Sequence, residues 1–464
     1  MGQPIESACR PESACAEPVD IAIIGAGFAG LTAARALVSA GLRVTVLEAR
    51  DRVGGRIHTR HAQDGTPIDV GGQWVGPGQD KVLALAEELG VETFPSFEEG
   101  ENLCLHNGRL MRFTGLLPPH EPAALAEVEA TFQALDALAQ TVDAEAPWTS
   151  PNAAALDSES FDAWIIRTAT SDEARFWMRF LARSVLASEA RELSLLHVLF
   201  YIKAAGGLAA LISMGGGAQE RRFSLGAQHL AERLADTVRP HLRLDTPVAA
   251  LAQDGDGVTI TTATGDTVRA RHAIVTLPPA LAARLRYSPP LPGTRDHLAQ
   301  RMPMGACIKV QCLYPTPFWR EEGLSGMAIS EDGPVSLIYD NSPAAGTPGI
   351  LVAFIEGDEA KEWTARTPAE RQSAITQSLV RLFGPRAADM REYIELSWLE
   401  EEYARGGYAG VMVPGAWTSL GATLRQPTGR IHWAGTETAS RWPGYMDGAI
   451  RSGERAAAEI LAAR

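Results

Sequence analysis

The sequence predicts an α/β fold that opens with a Rossmann-like, doubly wound nucleotide-binding unit. Three observations predict it: a short apolar run at 19–24, a GxGxxG turn directly behind it, and an acid, Glu48, closing a second apolar run. The run VDIAII reads as a strand buried on both faces, as parallel strands are. Gly25, Gly27 and Gly30 carry the glycine spacing, 29–40 reads as a helix, and Gly41 stops it. The second strand is read over 43–49. Gly25 permits the tight turn, Gly27 lets a pyrophosphate approach the backbone, and Gly30 lets helix pack on strand. The helix N-terminus offers free N–H groups, and Glu48, roughly 20 residues on, accepts from ribose hydroxyls. These residues make a dinucleotide site, with FAD and NAD both open.

Further along, RDRVGGR (50–56) places a glycine pair between arginines, which suits a backbone passing close to a phosphate with Arg56 there to neutralise charge. In PIDVGGQWVGP (67–77), Gly71 and Gly72 again suggest close approach, here to a flat ring. Residues 121–240 carry helical periodicity, whereas 242–277 alternate like strands with turns at 254–257 and near Gly265. IHWA (431–434) reads as a short strand, and a helical pattern begins near Tyr445. The stretch GACIKVQCLY (305–314) reads as a buried strand with one ammonium, Lys309, in its middle. Such a charge needs a partner or a task. By alternation Lys309 points with Cys307 and Gln311, and Cys307 and Cys312 face opposite sides.

Composition removes several classes. With 42 basic against 56 acidic side chains in 464 residues the net charge is −14, which disfavours nucleic acid or an anionic membrane as partner. The five cysteines lack CxxC spacing, as expected in a reducing compartment, here the cytoplasm. No HExxH or other metal-ligand spacing occurs, His58 and His61 alone being read as surface residues, so no metal is expected. GxSxG is absent as well. Residues 1–18, polar with three prolines, read as a disordered tail and not a signal peptide. No apolar run of about 18 residues suggests a membrane span.

From EARDRVGGR onward the chain resembles the flavin-containing amine oxidase family, specifically its monoamine oxidase group. The likeness continues through PIDVGGQWVGP, GGGAQERRF (215–223), MPMGACIKV (302–310), WLEEEYARGGY (398–408) and IHWAGTETASRWPGYMDGAIRSGERAA (431–457). It implies an FAD-binding domain over 19–92, 224–299 and 398–464. It also implies an α+β substrate domain with a mainly antiparallel sheet over 93–223 and 300–397. The implied cofactor contacts are Gly25, Gly27, Phe28, Ala29, Gly30, Glu48, Ala49, Arg50, Gly55, Arg56, Gly72, Gln73, Trp74, Val248, Trp398, Gly435, Glu437, Tyr445 and Met446. Of these, Val248 would meet adenine, Trp398 would pack at the isoalloxazine, and Glu437 would lie along the ribityl–phosphate part. The final helix would point its N-terminus at the flavin pyrimidine, where reduction places negative charge.

The activity implied is oxidation of a C–N bond to an imine, then a carbonyl compound, with dioxygen reduced to hydrogen peroxide. Tyr408 and Tyr445 match the family's aromatic cage, which aligns the amine before the flavin. Lys309 matches the lysine that holds a water at flavin N5; the plainer alternatives are a lysine that snorkels or pairs with a carboxylate. Tyr201, Leu211, Ile212 and Gln219 would line a mostly apolar pocket with one polar handle, favouring a small apolar monoamine. Partners expected are that amine and dioxygen, with a homodimer as the assembly. An amino-acid or polyamine oxidase, a flavoenzyme of this fold that dehydrogenates C–C bonds, and a flavin-bound protein without turnover are the competing readings. One departure from the family is instructive. Where mammalian monoamine oxidases carry a flavin-linked cysteine just before the first cage tyrosine, this chain has Gly407. Glycine forms no thioether, so the FAD is expected to be non-covalent. Acid precipitation should release all the yellow colour into the supernatant; colour held in the pellet would refute this.

Overall fold

The computed structural model describes residues 18–119 and 121–463. The expected tail therefore lies, apart from Pro18, outside the described residues, as do Cys9 and Cys15.

The amino-terminal reading is realised closely. The strand Val19–Ile24 runs into the helix Phe28–Ser39, and the second strand is Val44–Leu47, so that Glu48 stands just past its end. Val19–Ile24 pairs in parallel with Val44–Leu47 on one side and with Thr267–Val275 on the other. The sheet built on them has eight strands. Its parallel core continues through Leu242–Arg243 and Ile431–Trp433. Val248–Gln253, Val258–Thr262 and Thr267–Val275 form an antiparallel meander, which accounts for their alternating sequence. The strands turn where the glycines allow, Gly265 having φ +92°.

One face of this sheet is covered by two helices packed on each other, Phe28–Ser39 and the last helix, Met446–Ala462. Their approach is very close, because a Cβ at Gly453 would collide with the carbonyl of Ala29; a Cβ at Gly30 would instead strike the carbonyl of Gly25, in the turn that leads into the first helix. These glycines are required by packing, and neither has a positive φ.

A second sheet has seven strands, among them Glu101–His106, Cys307–Tyr314, Leu337–Asp340, Gly349–Glu356 and Glu392–Ser397. All its pairings are antiparallel except Leu324–Ser330 with Glu101–His106. Helices cover both faces. Pro122–Gln140, Asp172–Leu186 and Leu195–Ala205 share one core with Cys104, Ile329 and Leu337 of the sheet. Pro368–Phe383 packs on the other face through Ile375, Leu379 and Phe383. Cys307–Tyr314 and Gly349–Glu356 are buried at every position. No helix among the described residues is long and apolar enough to cross a membrane.

Gly453→Ala should strain the contact between the two helices. Overpacking of this kind is expected to remove about 1–3 kcal/mol of stability. A melting temperature equal to that of the parent would show that the backbone can give way there.

Candidate functional site

A cavity of ≈ 450 Å³ runs from the first glycine turn to the face of the second sheet. At one end lie Gly25, Gly27, Phe28, Ala29, Glu48, Ala49, Arg50 and Val248; Gly55, Arg56, Gly72, Gln73 and Trp74 follow, with Trp398, Gly435 and Met446. Lys309, Tyr408, Tyr445, Tyr201 and Gln219 line it as well. The helix N-terminus at Gly27 has no side-chain cap, and a Cβ there would meet only Gly54 O at 3.9 Å. That leaves an open backbone cradle of the kind that holds phosphates. Glu48 faces the cavity while its carboxylate accepts from the Ala26 N–H at 2.7 Å and the Arg50 N–H at 3.0 Å. An acceptor fixed in this way suits ribose hydroxyls.

Two cofactor expectations change. Gly30 does not line the cavity; its role is helix packing. Glu437 is also absent from the wall. It lies beneath, accepting from Arg56 at 2.6 and 3.0 Å and from the Gly410 N–H at 3.1 Å. Arg56 also donates to the Tyr408 carbonyl at 2.8 Å. Glu437 thus acts through Arg56, whose charge is already matched. Burial would raise the Glu437 carboxyl, but Arg56 and the Gly410 N–H outweigh it and hold it below the usual range. Gly71 is tight for an internal reason, since a side chain there would strike the Arg56 carbonyl.

Lys309 is 3% exposed, so it does not snorkel, and its contacts are neutral oxygens. Its ammonium donates to the Gly71 carbonyl at 2.7 Å and to Gln73 Oε1. The rings of Trp74 and Phe354 lie 5.4 and 5.7 Å from it. Burial lowers its pKa to about 7, against the pull of Asp69. Gln73 is locked in turn. Its amide donates to Asn341 Oδ1 at 2.7 Å, Asn341 donates to Gln311 at 2.9 Å, and Gln311 donates to the Asp69 carbonyl at 2.8 Å. This network joins the second sheet to the 69–74 segment.

Around the two tyrosines the wall is mostly apolar: Val185, Leu337, Tyr339 and Phe354, with Cys307, Ser184 and Gln219. Tyr445 caps the last helix, stands edge-on to Trp442 at 4.9 Å and hydrogen-bonds Tyr201. Phe354 meets Tyr408 edge-on at 6.3 Å. Leu211 and Ile212 fall outside the cavity wall. The short helix Leu208–Ile212 turns Leu211 into the helical core, where it borders a small separate cavity, and Ile212 packs against that core. Leu211 still contributes through its carbonyl, which accepts from Gln219 at 3.2 Å. Sequence reading missed Ser184, Leu337, Tyr339 and Phe354, whose segments carry no motif that marks a site. It also missed Glu356, which binds the Tyr408 hydroxyl. An acid closing the run GILVAFIE was a usable signal. Among the described residues no cluster of metal ligands exists.

A glycine-cradled dinucleotide groove that opens onto an aromatic chamber with one buried lysine defines a flavoprotein oxidoreductase. Comparison makes the class specific. The model of flavin-containing amine oxidoreductases matches residues 28–461, and the chain belongs to that family. A Dictyostelium discoideum protein named "Probable flavin-containing monoamine oxidase A" is 39% identical over 445 residues, 95% of this chain and 97% of its own. A putrescine oxidase structure, a single mutant from a redesign of cofactor binding, superposes with TM-score 0.92 and 36% identity over 96% of this chain and 99% of its own. Cyclohexylamine oxidase from Brevibacterium oxydans IH-35A gives 0.91 and 37% over the same shares. FAD is therefore the cofactor, and the cradle, Glu48 and the flat cleft by Trp398 fit it.

Arg56→Met leaves Glu437 buried and unpaired, a change that typically costs about 3–5 kcal/mol. It should lower both FAD occupancy and melting temperature. The pair stabilises the fold above the unfolded carboxyl value, and that contribution is lost as pH falls through the lowered folded one. The difference between parent and variant should therefore shrink in acid; a constant difference would contradict the pairing.

Proposed function

We propose that this protein oxidises the C–N bond of a small, mostly apolar amine held between Tyr408 and Tyr445, with dioxygen as the acceptor. The observation that carries the reading is the meeting of Lys309, Tyr408 and Tyr445 on one chamber at the end of the dinucleotide groove. Bound FAD would supply the redox chemistry, as hydride acceptor for the amine's α-carbon and as electron donor to dioxygen, which yields hydrogen peroxide. The chain does the rest. Its helix N-terminus at Gly27 and Glu48 hold the nucleotide half, and Arg56, fixed by Glu437, faces the middle. The two tyrosines restrict how the amine can approach. The mostly apolar wall keeps bulk water away from the carbon that loses the hydride, and hydrolysis of the imine follows its formation. Lys309 presents a donor from the second sheet, supported by Gln73, for a water or oxygen species.

Selectivity follows from charge. The carboxylates on the cavity wall, Glu48 and Glu402, belong with Arg50 and Tyr403 at the nucleotide end. Around the tyrosines the wall bears no carboxylate for a second ammonium. The wall's arginines do not serve a substrate carboxylate either: Arg50 and Arg56 are engaged with Glu401 and Glu437, and Arg284 and Arg405 are exposed. This supports a monoamine over a polyamine or an amino acid. We assign the protein to the cytoplasm, supported by the free buried thiols of Cys104, Cys307 and Cys312.

An anaerobic panel of amines tests the reading, because a small apolar monoamine should bleach the flavin and putrescine or an amino acid should do so poorly. No bleaching by any amine would defeat it. Lys309→Met should slow reoxidation by oxygen about tenfold or more, far more than it changes amine binding. The ammonium is charged below about pH 7, so parent reoxidation should slow as pH rises through that value. Equal reoxidation rates in the two proteins would remove Lys309 from the oxygen step.

A further inference from the structure

The strand Gly349–Glu356, buried throughout, ends on a carboxylate that is 1% exposed. Hydroxyls, not a cation, take up its oxygens. Oε1 accepts from Tyr408, and Oε2 accepts from Ser336 at 2.9 Å. The other titratable groups facing it are Cys307, its register partner across the sheet, then Tyr339, Arg183 and Glu189. A buried carboxylate without a contacting cation is destabilising, so its retention asks for a use.

Tyr408 stands between this carboxylate and the cavity. Its hydroxyl points back to Glu356 while the residue lines the chamber. We infer that Glu356 is a positioning residue for Tyr408 and the counter-charge through which the chamber receives its substrate as an ammonium ion. The inference rests on the reading that the amine sits against Tyr408. The hydrogen bond fixes the rotation of the ring. A negative charge behind the ring strengthens the attraction of its face for a cation, and the low dielectric of the chamber preserves the effect. Burial raises the Glu356 carboxyl to about 7, with Tyr408, Ser336 and Arg183 pulling it back and Glu189 pushing it up. The counter-charge is therefore present above that value and lost below it.

Lys309 lines the same cavity and loses its proton in the same window, which would also favour a cation at higher pH. Two variants separate the contributions. In Glu356→Gln the amide oxygen can still accept from Tyr408, so the ring stays placed while the charge is gone. Lys309→Met removes the competing cation and leaves Glu356.

The probe is cumylamine, whose α-carbon carries no hydrogen, so it binds without being oxidised. Its affinity for the FAD-loaded protein is measured by calorimetry between about pH 6 and 8. We expect it to rise about tenfold with pH in the parent and in Lys309→Met. In Glu356→Gln the rise should shrink to the part that deprotonation of Lys309 contributes. A flat profile in the parent overturns the inference, and that measurement needs no variant to fold. A rise that persists in Glu356→Gln and vanishes in Lys309→Met overturns it too. Absence of binding at every pH would defeat the amine reading itself, whereas tight but pH-independent binding defeats only the role of Glu356.

Discussion

Everything in the chamber is set by the buried ammonium of Lys309 and the oxygens that receive it. The ammonium comes from the second sheet, and its acceptors, Gly71 and Gln73, follow the segment that carries Asp69. Burying a cation among carbonyls requires those carbonyls to be held still, and the chain Gln73–Asn341–Gln311–Asp69 does that. Arg222 tightens it by donating to Asn341. The network fixes the second sheet against the 69–74 segment, whose Gly71, Gly72, Gln73 and Trp74 line the groove. A partly satisfied network in such a place would be worse than an apolar one.

The chamber's electrostatics are spare. Arg56 and Glu437 cancel each other, and the tyrosines remain neutral because burial raises their phenols. Lys309 and Glu356 are left as opposite charges on one face of the second sheet, Lys309 at the cavity and Glu356 behind Tyr408, both shifted toward neutrality by burial. A low-dielectric chamber with two such groups can hold either a cation or an anion transiently, which is what a reaction beginning with an amine and ending with reduced oxygen requires.

Much of this was legible in the sequence wherever a residue was chemically odd for its surroundings. The glycine turn, Glu48 and Lys309 each break a local pattern, and each faces the cavity. Tyr408 and Tyr445 became visible through family motifs. What escaped was set by tertiary packing. Leu211 and Ile212 occupy a helix of 5 residues whose direction no periodicity encodes. Glu437 was placed on the cofactor because sequence shows proximity in a motif but not depth, and depth decides whether a carboxylate touches a ligand or orients an arginine. Phe354 lies in a strand too uniformly apolar to show which face meets a cavity, and Tyr339 in one of only 4 residues.

The groove is walled by separate stretches of chain, from the first glycine turn to the last helix, with both sheets contributing. A ligand lodged there touches parts of the chain that are otherwise joined only through long detours of sequence. Loading is then inseparable from folding, because whatever binds the native groove and not the open chain adds its binding free energy to stability. Cellular flavin supply consequently governs how much of this protein survives proteolysis as well as how much of it is active. In a flavin-poor cell the unloaded chain would be removed by turnover and would not accumulate as an idle reserve.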